Sequence, residues 1–136
     1  MSISFPYVRE KVKDTYVMRP KIPVTLSWNG KTITVVALLD SGSDFSSIPK
    51  DLAEALGLII SSKEREVVGV GGKIKTKSSQ VNITIENIHL GRIPIEVTED
   101  PQLDFPIIGR IPFFQIFDIT FRENSNRIIL NKIQRR

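Results

Sequence analysis

The chain has 136 residues, a formal net charge of +4 at pH 7 and a hydrophobic fraction of 40%. This length and composition predict one domain with a hydrophobic core and argue against intrinsic disorder. The sequence contains no cysteine, which excludes disulfides and thiolate metal sites and is compatible with a reducing cytoplasm. No apolar run approaches the roughly 18 residues of a membrane span, and residues 1–6 have no signal-peptide core. We therefore expect a soluble, cytoplasmic protein without a membrane partner.

The positive net charge raises the question of nucleic-acid binding. The lysines and arginines are scattered, and the alternation of lysine with other residues over 73–77 is typical of a strand with one solvated face. Arg135 and Arg136 form only a short basic end. The charge supports a mild preference for acidic partners and no more. We expect no nucleic-acid partner, and a small DNA-associated β-barrel is the least favoured alternative.

The first part of the chain predicts an arm and a hairpin. Residues 1–20 are polar and mixed, and we separate them as an amino-terminal arm from a domain over 21–136. For this arm an extra strand, a dimer contact and a loose segment all remain open. Residues 22–28 and 31–39 read as strands on either side of Asn29-Gly30, the strongest two-residue hairpin signal in the sequence.

One short helix is predicted over residues 49–58. Leu52, Ala55 and Leu56 form one apolar face, because residues three and four apart lie together on a helix. Pro49 suits the first helical position, and Gly57 suits the left-handed stop.

The remainder of the chain predicts strands and one short helical turn. The predicted strands are 64–70, 73–79 continuing into 81–85, 87–98 with breaks at Gly91 and Pro94, 103–108, 119–122 and 127–130, with the turn at 112–117. The sequence shows no internal repeat. The pattern is that of an all-β protein with one helix, in which the last hairpin closes a barrel.

Asp40 is the strongest candidate for a catalytic residue. The apolar run 34–39 reads as a buried strand that ends at Asp40, and the following Ser41 and Gly42 allow a tight turn and a close backbone approach. A carboxylate in such a confined place is costly unless it is hydrogen-bonded, paired or functional. On these three residues alone an Asx turn or a helix cap remains an alternative.

Two further motifs follow Asp40 along the chain. Residues 67–72 contain three glycines between alternating segments, as in a mobile β-hairpin, and residues 104–110 form an apolar strand that ends in Gly109 and Arg110. In this order and spacing, the three motifs resemble those of the retropepsin-like aspartic proteases. That family has an apolar-apolar-Asp-Ser/Thr-Gly catalytic loop, a glycine-containing flap and a late apolar-apolar-Gly-Arg segment. The resemblance covers roughly residues 22–131.

The resemblance implies a fold and a mechanism. The implied fold is a closed acid-protease-type β-barrel with one short helix after the catalytic loop and a β-hairpin flap. The chain carries one Asp-Ser-Gly, so the implied enzyme is a homodimeric aspartic endopeptidase in which Asp40 faces its symmetry mate. Two such carboxylates cannot both ionise readily, so the pair shares one proton and activates a water without metal, cofactor or covalent intermediate. The implied substrate is a peptide or an unfolded protein.

The resemblance also implies roles for individual residues. Asp40, Ser41 and Gly42 form the catalytic loop, in which the Ser41 hydroxyl ties the two loops together and the Gly42 carbonyl faces the substrate backbone. Asp44 and Arg110 match family positions that form a structural ion pair beneath the site, and two separately solvated charges are the alternative. The implied substrate contacts are Gly42, Asp44, Val70, Gly71, Gly72 and Ile108, of which 70–72 form a flap tip that closes over a peptide bound as an added strand. Phe45 departs from the more usual acidic or polar residue and leaves the neighbouring subsite open.

The main rival function is a non-catalytic β-barrel dimer that serves as a peptide-binding or assembly module. Intact Asp40, Ser41 and Gly42 argue against it, because a non-catalytic copy has no chemical need for that carboxylate. His89 is the single histidine and reads as a strand residue, which argues against a Ser-His-Asp triad and against a zinc site. Trp28 reads as a packing residue of the first hairpin.

Overall fold

The computed structural model describes residues 2–69 and 72–134, and strands dominate it. The strands are β1 (Ser2–Pro6), β2 (Val8–Val12), β3 (Thr15–Arg19), β4 (Lys21–Trp28), β5 (Lys31–Leu39), β6 (Ser46–Pro49), β7 (Glu64–Gly69), β8 (Gly72–Ile85), β9 (Ile88–Thr98), β10 (Ile107–Ile108), β11 (Phe117–Arg122) and β12 (Arg127–Lys132). The helices are α1 (Lys50–Leu56) and α2 (Phe113–Ile116), with a 3₁₀ turn at Pro101–Leu103. The β-rich class predicted from the sequence is confirmed.

Strands β4 and β5 form the hairpin that Asn29-Gly30 predicts. Both turn residues have positive φ, 49° and 85°, which a type I′ turn requires. Ile22, Val24 and Leu26 are all buried, because alternate residues of a strand face the same side.

Strand β5 contributes only Ala37 and Leu39 to the core, and Val36 is exposed. The strand predicted as buried over 34–39 is therefore buried on one face. It ends directly before Asp40.

Seven strands form one sheet in the order β4-β5-β10-β6-β9-β8-β7. Strand β4 also pairs with β8, so the pairing returns to its first strand. Among the described strands, β7 pairs only with β8. The short strand β10 lies between β5 and β6, where Ile108 pairs with Leu39 and Ile107 pairs with Ser47. This arrangement brings the end of β5, the start of β6 and the Gly109-Arg110 segment together.

The amino-terminal residues left open by the sequence form strands. Strand β1 pairs with β12, which pairs with β11, and these three strands form a sheet of their own. The prediction that the last hairpin closes a barrel is therefore wrong, because among the described strands the β11–β12 hairpin pairs with β1 and not with the seven-stranded sheet. Strands β2 and β3 form a separate two-stranded sheet. Tyr7 joins the two regions, because its hydroxyl donates a hydrogen bond to Glu123 Oε1 at 2.7 Å and its backbone N–H donates to the Asn126 carbonyl at 2.8 Å. The first residues are thereby fixed to the β11–β12 turn.

Several element boundaries differ from the prediction. Helix α1 starts at Lys50, and Pro49 precedes it in extended conformation. Strand β9 continues through Gly91 and Pro94 without the predicted breaks. Its pairing with β8 shifts register between Ile83 and Thr84, which marks a β-bulge. The predicted strand over 103–108 is reduced to β10, because the 3₁₀ turn precedes it.

Strand β6 has no counterpart in the prediction, since its Ser-Ser-Ile-Pro sequence lacks apolar alternation. The predicted turn at 112–117 appears as α2. None of the helices within 2–69 and 72–134 has the length and apolar character that crossing a bilayer requires.

Candidate active site

Asp40 stands at the end of β5, half-buried, and its own turn holds the carboxylate. The Asp40 N–H donates to the Ile108 carbonyl at 3.0 Å, which continues the pairing with β10. One carboxylate oxygen accepts from the Gly42 N–H at 2.9 Å, and the other accepts from the Ser43 hydroxyl at 2.8 Å. Such side-chain bonds to the following residues favour a tight turn. Gly42 and Ser43 therefore set the orientation of this carboxylate.

The Gly109-Arg110 segment supports this turn through backbone hydrogen bonds. The Arg110 N–H donates to the Ser43 carbonyl, and the Ile111 N–H donates to the Asp44 carbonyl, both at 2.8 Å. Arg110 Nη1 also lies 3.1 Å from Asp44 Oδ1, but 54% of the Arg110 side chain and 65% of the Asp44 side chain are exposed. Ion pairs that exposed contribute less than about 1 kcal/mol. The backbone bonds, more than the ion pair, hold the loop.

Gly109 is required at this position because of the space around it. A Cβ on Gly109 would lie 2.3 Å from the Phe45 carbonyl oxygen and 2.8 Å from the Ser43 carbonyl oxygen. The Gly109 N–H donates to the hydroxyl of the buried Ser46 at 3.0 Å. The glycine of the late motif therefore lets two chain segments touch beneath Asp40.

Asp40 borders a cleft of about 370 Å³. Its walls come from the catalytic loop, both arms of the β7–β8 hairpin, β9, residues 100–103 and β10. Of the predicted site residues, the structure brings Asp40, Gly42, Asp44 and Gly72 together in this one cleft. Val70 and Gly71 lie outside the described residues.

Three predicted residues lie away from the cleft lining. Ser41 is exposed on the loop, and the half-exposed Arg110 side chain contacts Asp44. Ile108 packs in the hydrophobic core, and its neighbour Ile107 lines the cleft instead, because successive strand residues face opposite sides.

The cleft also contains residues that the sequence did not indicate, among them Thr76, Glu96, Gln102 and Leu103. Glu96 is only 5% exposed and accepts hydrogen bonds from Thr76 Oγ1 at 2.9 Å and Arg65 Nη1 at 2.8 Å. One signal for it was present, since Glu96 interrupts the otherwise apolar segment 93–97.

A larger cavity of about 610 Å³ lies beside the root of the hairpin and contains none of the predicted site residues. Two of its charged residues are paired, since Lys50 Nζ lies 2.8 Å from Glu99 Oε1. This hydrogen-bonded partner holds the pKa of Glu99 below its ordinary value and the pKa of Lys50 above it. Among the residues that the structure describes, no group of three or more His, Cys, Asp or Glu side chains is placed to hold a metal ion. The cleft at Asp40 is thus the candidate active site.

Comparison with known proteins agrees with this geometry. The sequence matches the aspartyl protease family over residues 22–110, which is more than half of the chain and includes Asp40 and Arg110. The fold is similar to that of EIAV protease complexed with the inhibitor HBY-793, with 25% identity and a TM-score of 0.54 over 71% of this chain and 86% of that chain.

The fold is also similar to that of a retropepsin-like aspartic protease from Rickettsia conorii, with 19% identity and a TM-score of 0.63 over 97% of this chain and 93% of that chain. No curated protein sequence is significantly similar to the chain. The family match over the segment that carries the loop, the hairpin and the Gly-Arg motif shows that the chain belongs to the aspartyl protease family, as a retropepsin-like aspartic endopeptidase.

Proposed function

We propose that the chain hydrolyses peptide bonds as a homodimer, in which the Asp40 carboxylates of two copies meet and activate one water. The observation that carries this proposal is the Asp40 carboxylate itself, which borders the cleft with each oxygen held by its own turn. One chain supplies one such loop, so a second copy about a two-fold axis supplies the other half of the site.

Two carboxylates a few Å apart hold one proton between them, because their like charges oppose double ionisation. The ionised carboxylate then acts as general base on the bound water, and the protonated one polarises the carbonyl of the scissile bond. The bonds from Gly42 and Ser43 fix both carboxylates before substrate arrives. Such preorganisation lowers the barrier by placing the reacting groups in advance.

The substrate in this proposal is a peptide or unfolded protein bound as an extended strand along the cleft. The β7–β8 hairpin serves as the flap, and Gly42, Asp44, Gly72 and Ile107 contact the peptide. Ser41, exposed on the loop, bonds to the partner loop across the axis. The return of the pairing from β8 to β4 supports a closed barrel around the core. The cytoplasmic location and the division into 1–20 and 21–136 remain predictions.

Replacement of Asp40 by Asn tests the chemistry. Asp40→Asn keeps the side-chain volume and removes the ionisable group, so hydrolysis of an unfolded protein substrate should fall at least about a hundredfold. Asp118→Asn, on the exposed face of β11, is the matched control and should keep full activity. Circular dichroism should show that all three proteins are folded.

Full activity in folded Asp40→Asn would remove Asp40 from the mechanism. If the wild type bound extended peptides without cleaving them, the non-catalytic peptide-binding module would be the correct function.

A further inference from the structure

Glu96 is the one buried charged residue in the part of the chain that the structure describes. It lies on β9, lines the same cleft as Asp40, and has both carboxylate oxygens bonded, one to Arg65 and one to Thr76. A buried charge is tolerated only when it is paired and hydrogen-bonded. The Glu96 carboxylate therefore depends on both partners staying in place.

These partners mark the point where the β7–β8 hairpin leaves the sheet. Strand β8 pairs with β9 from Thr76 onward, with Thr76 opposite Thr98. Residues 72–75 pair only with β7 among the described strands. Arg65 is the cross-strand partner of Thr76 at this root. Glu96, Arg65 and Thr76 thus form one cluster, which we call the root clamp.

Arg65 connects the root clamp to neighbouring elements. It belongs to β7, the edge strand, and extends over β8 to Glu96 on β9, with a further contact of 3.3 Å to Ser78 Oγ. Its guanidinium carbon also lies 5.7 Å from the centre of the Phe45 ring, within the range of a cation–π interaction. Phe45 directly follows the loop that carries Asp40. One side chain therefore connects the hairpin arm both to the sheet and to the catalytic loop.

We propose that Glu96, acting through Arg65 and Thr76, is a positioning residue that fixes the angle of the β7–β8 hairpin over the cleft. Rotation of β7 at its root would withdraw Arg65 and leave the buried carboxylate of Glu96 without its counter-charge, which opposes that rotation. The hairpin consequently moves by bending beyond Thr76, where the arms have only each other as strand neighbours. The effect on catalysis rests on the proposed function, in which this hairpin covers the peptide.

The test replaces both members of the charged pair, so that no unpaired charge remains; Thr76 stays, and its hydroxyl loses its acceptor on Glu96. Arg65→Met/Glu96→Leu substitutes apolar side chains of similar size for the half-exposed Arg65 and the buried Glu96. Urea unfolding of the variant gives its global stability, against which hairpin exchange is compared. Hydrogen exchange of the amides of 64–69 and 72–75 should become about tenfold faster, while exchange in β4 and β5 stays the same. The KM for a peptide substrate should rise about tenfold, with kcat within about twofold of wild type.

Arg65→Lys keeps the positive charge, so its KM should lie between that of the wild type and that of the double variant. Glu10→Gln removes the carboxylate that pairs with Lys21 and Arg19, outside the hairpin and the cleft, and this control should change neither measurement. If the double variant does not fold, Glu96→Gln takes its place, since it preserves the volume of the side chain.

The proposal would be overturned if the double variant changed neither the hydrogen exchange of the hairpin amides nor the KM. Exchange that accelerates equally in β4 and β5 would also overturn it, because the pair would then serve general stability. The exchange measurement needs no substrate. An inactive wild type whose hairpin still loosens in the double variant would therefore contradict the proposed function and leave the clamp intact.

Discussion

At the scale of single residues, the candidate site depends on how closely two loops approach. Gly109 has no left-handed φ, so it is needed for space and not for its backbone conformation. Gly30 is the opposite case, because its φ is 85° and a Cβ at this position would meet nothing within 4 Å. Gly109 is therefore required because a side chain would clash, whereas Gly30 is required because of its left-handed backbone.

Gly109→Ala should reduce the free energy of unfolding by about 3 kcal/mol, because the methyl group forces apart the segments that meet at Phe45. Gly30→Ala should cost only about 1 kcal/mol, the cost of a left-handed alanine. Urea unfolding of both variants measures the difference. Equal losses would mean that the contact at Gly109 relaxes without strain.

Peptide hydrolysis by the two glycine variants, measured where both are folded, gives a second comparison. Gly109→Ala should lose activity through displacement of the Asp40 turn, whereas Gly30→Ala should keep it.

At the scale of elements, Tyr7 fixes the amino-terminal strands to the β11–β12 turn. Burial, and secondly its hydrogen bond to Glu123 and the charge of Glu123, raise the pKa of Tyr7 from 10.0 to about 12. The folded chain thus holds this proton more tightly than the unfolded chain does. The contribution to stability is fully present below pH 10 and is lost as the pH rises towards 12.

Tyr7→Phe should lower the free energy of unfolding by about 1 kcal/mol at pH 8, through loss of the hydrogen bond to Glu123. This difference from wild type should narrow by about 1 kcal/mol between pH 8 and pH 11, because only the wild type has the Tyr7 proton to lose. Urea unfolding of both proteins at the two pH values measures it. A difference that stays constant would mean that Tyr7 ionises alike in the folded and unfolded chains.

Some elements and site residues could be predicted from the sequence, and others could not. Local signals predicted the β4–β5 hairpin, since Asn29-Gly30 specifies its turn without help from distant residues. Strand β6 was missed because only pairing with β9 and β10, both distant in sequence, makes Ser46–Pro49 a strand. The motif residues at Asp40 and Gly109 were found because their motifs, in order and spacing, resemble those of the retropepsin-like proteases. Glu96 was missed because its partner Arg65 lies 31 positions away and no short pattern links them.

At the scale of the whole molecule, one chain presents half of the proposed dyad. A mixture of wild-type chains with an about tenfold excess of Asp40→Asn chains, under conditions of subunit exchange, should retain about a tenth of the wild-type activity. The loss follows because most wild-type chains then sit in mixed dimers. Sedimentation should show a species near twice the chain mass of 15.4 kDa.

Excess Asp118→Asn chains are the control for this mixture and should not reduce activity, since their catalytic loops are intact. Undiminished activity with excess Asp40→Asn, or an active species of single-chain mass, would contradict the dimer.

The contact of the Gly109 N–H with Ser46, across 63 positions of sequence, links the site to the folding of the entire sheet. Because segments so far apart meet beside the Asp40 turn, this turn has only its own local hydrogen bonds until the intervening strands β6 to β9 have taken their places. Chains dominated by such non-local pairing fold slowly. During refolding, enzymatic activity should consequently appear late and in one kinetic phase. The β10 amides should become protected from hydrogen exchange in the same phase. We therefore expect proteolytic activity to report complete folding, and a partly folded chain should show none.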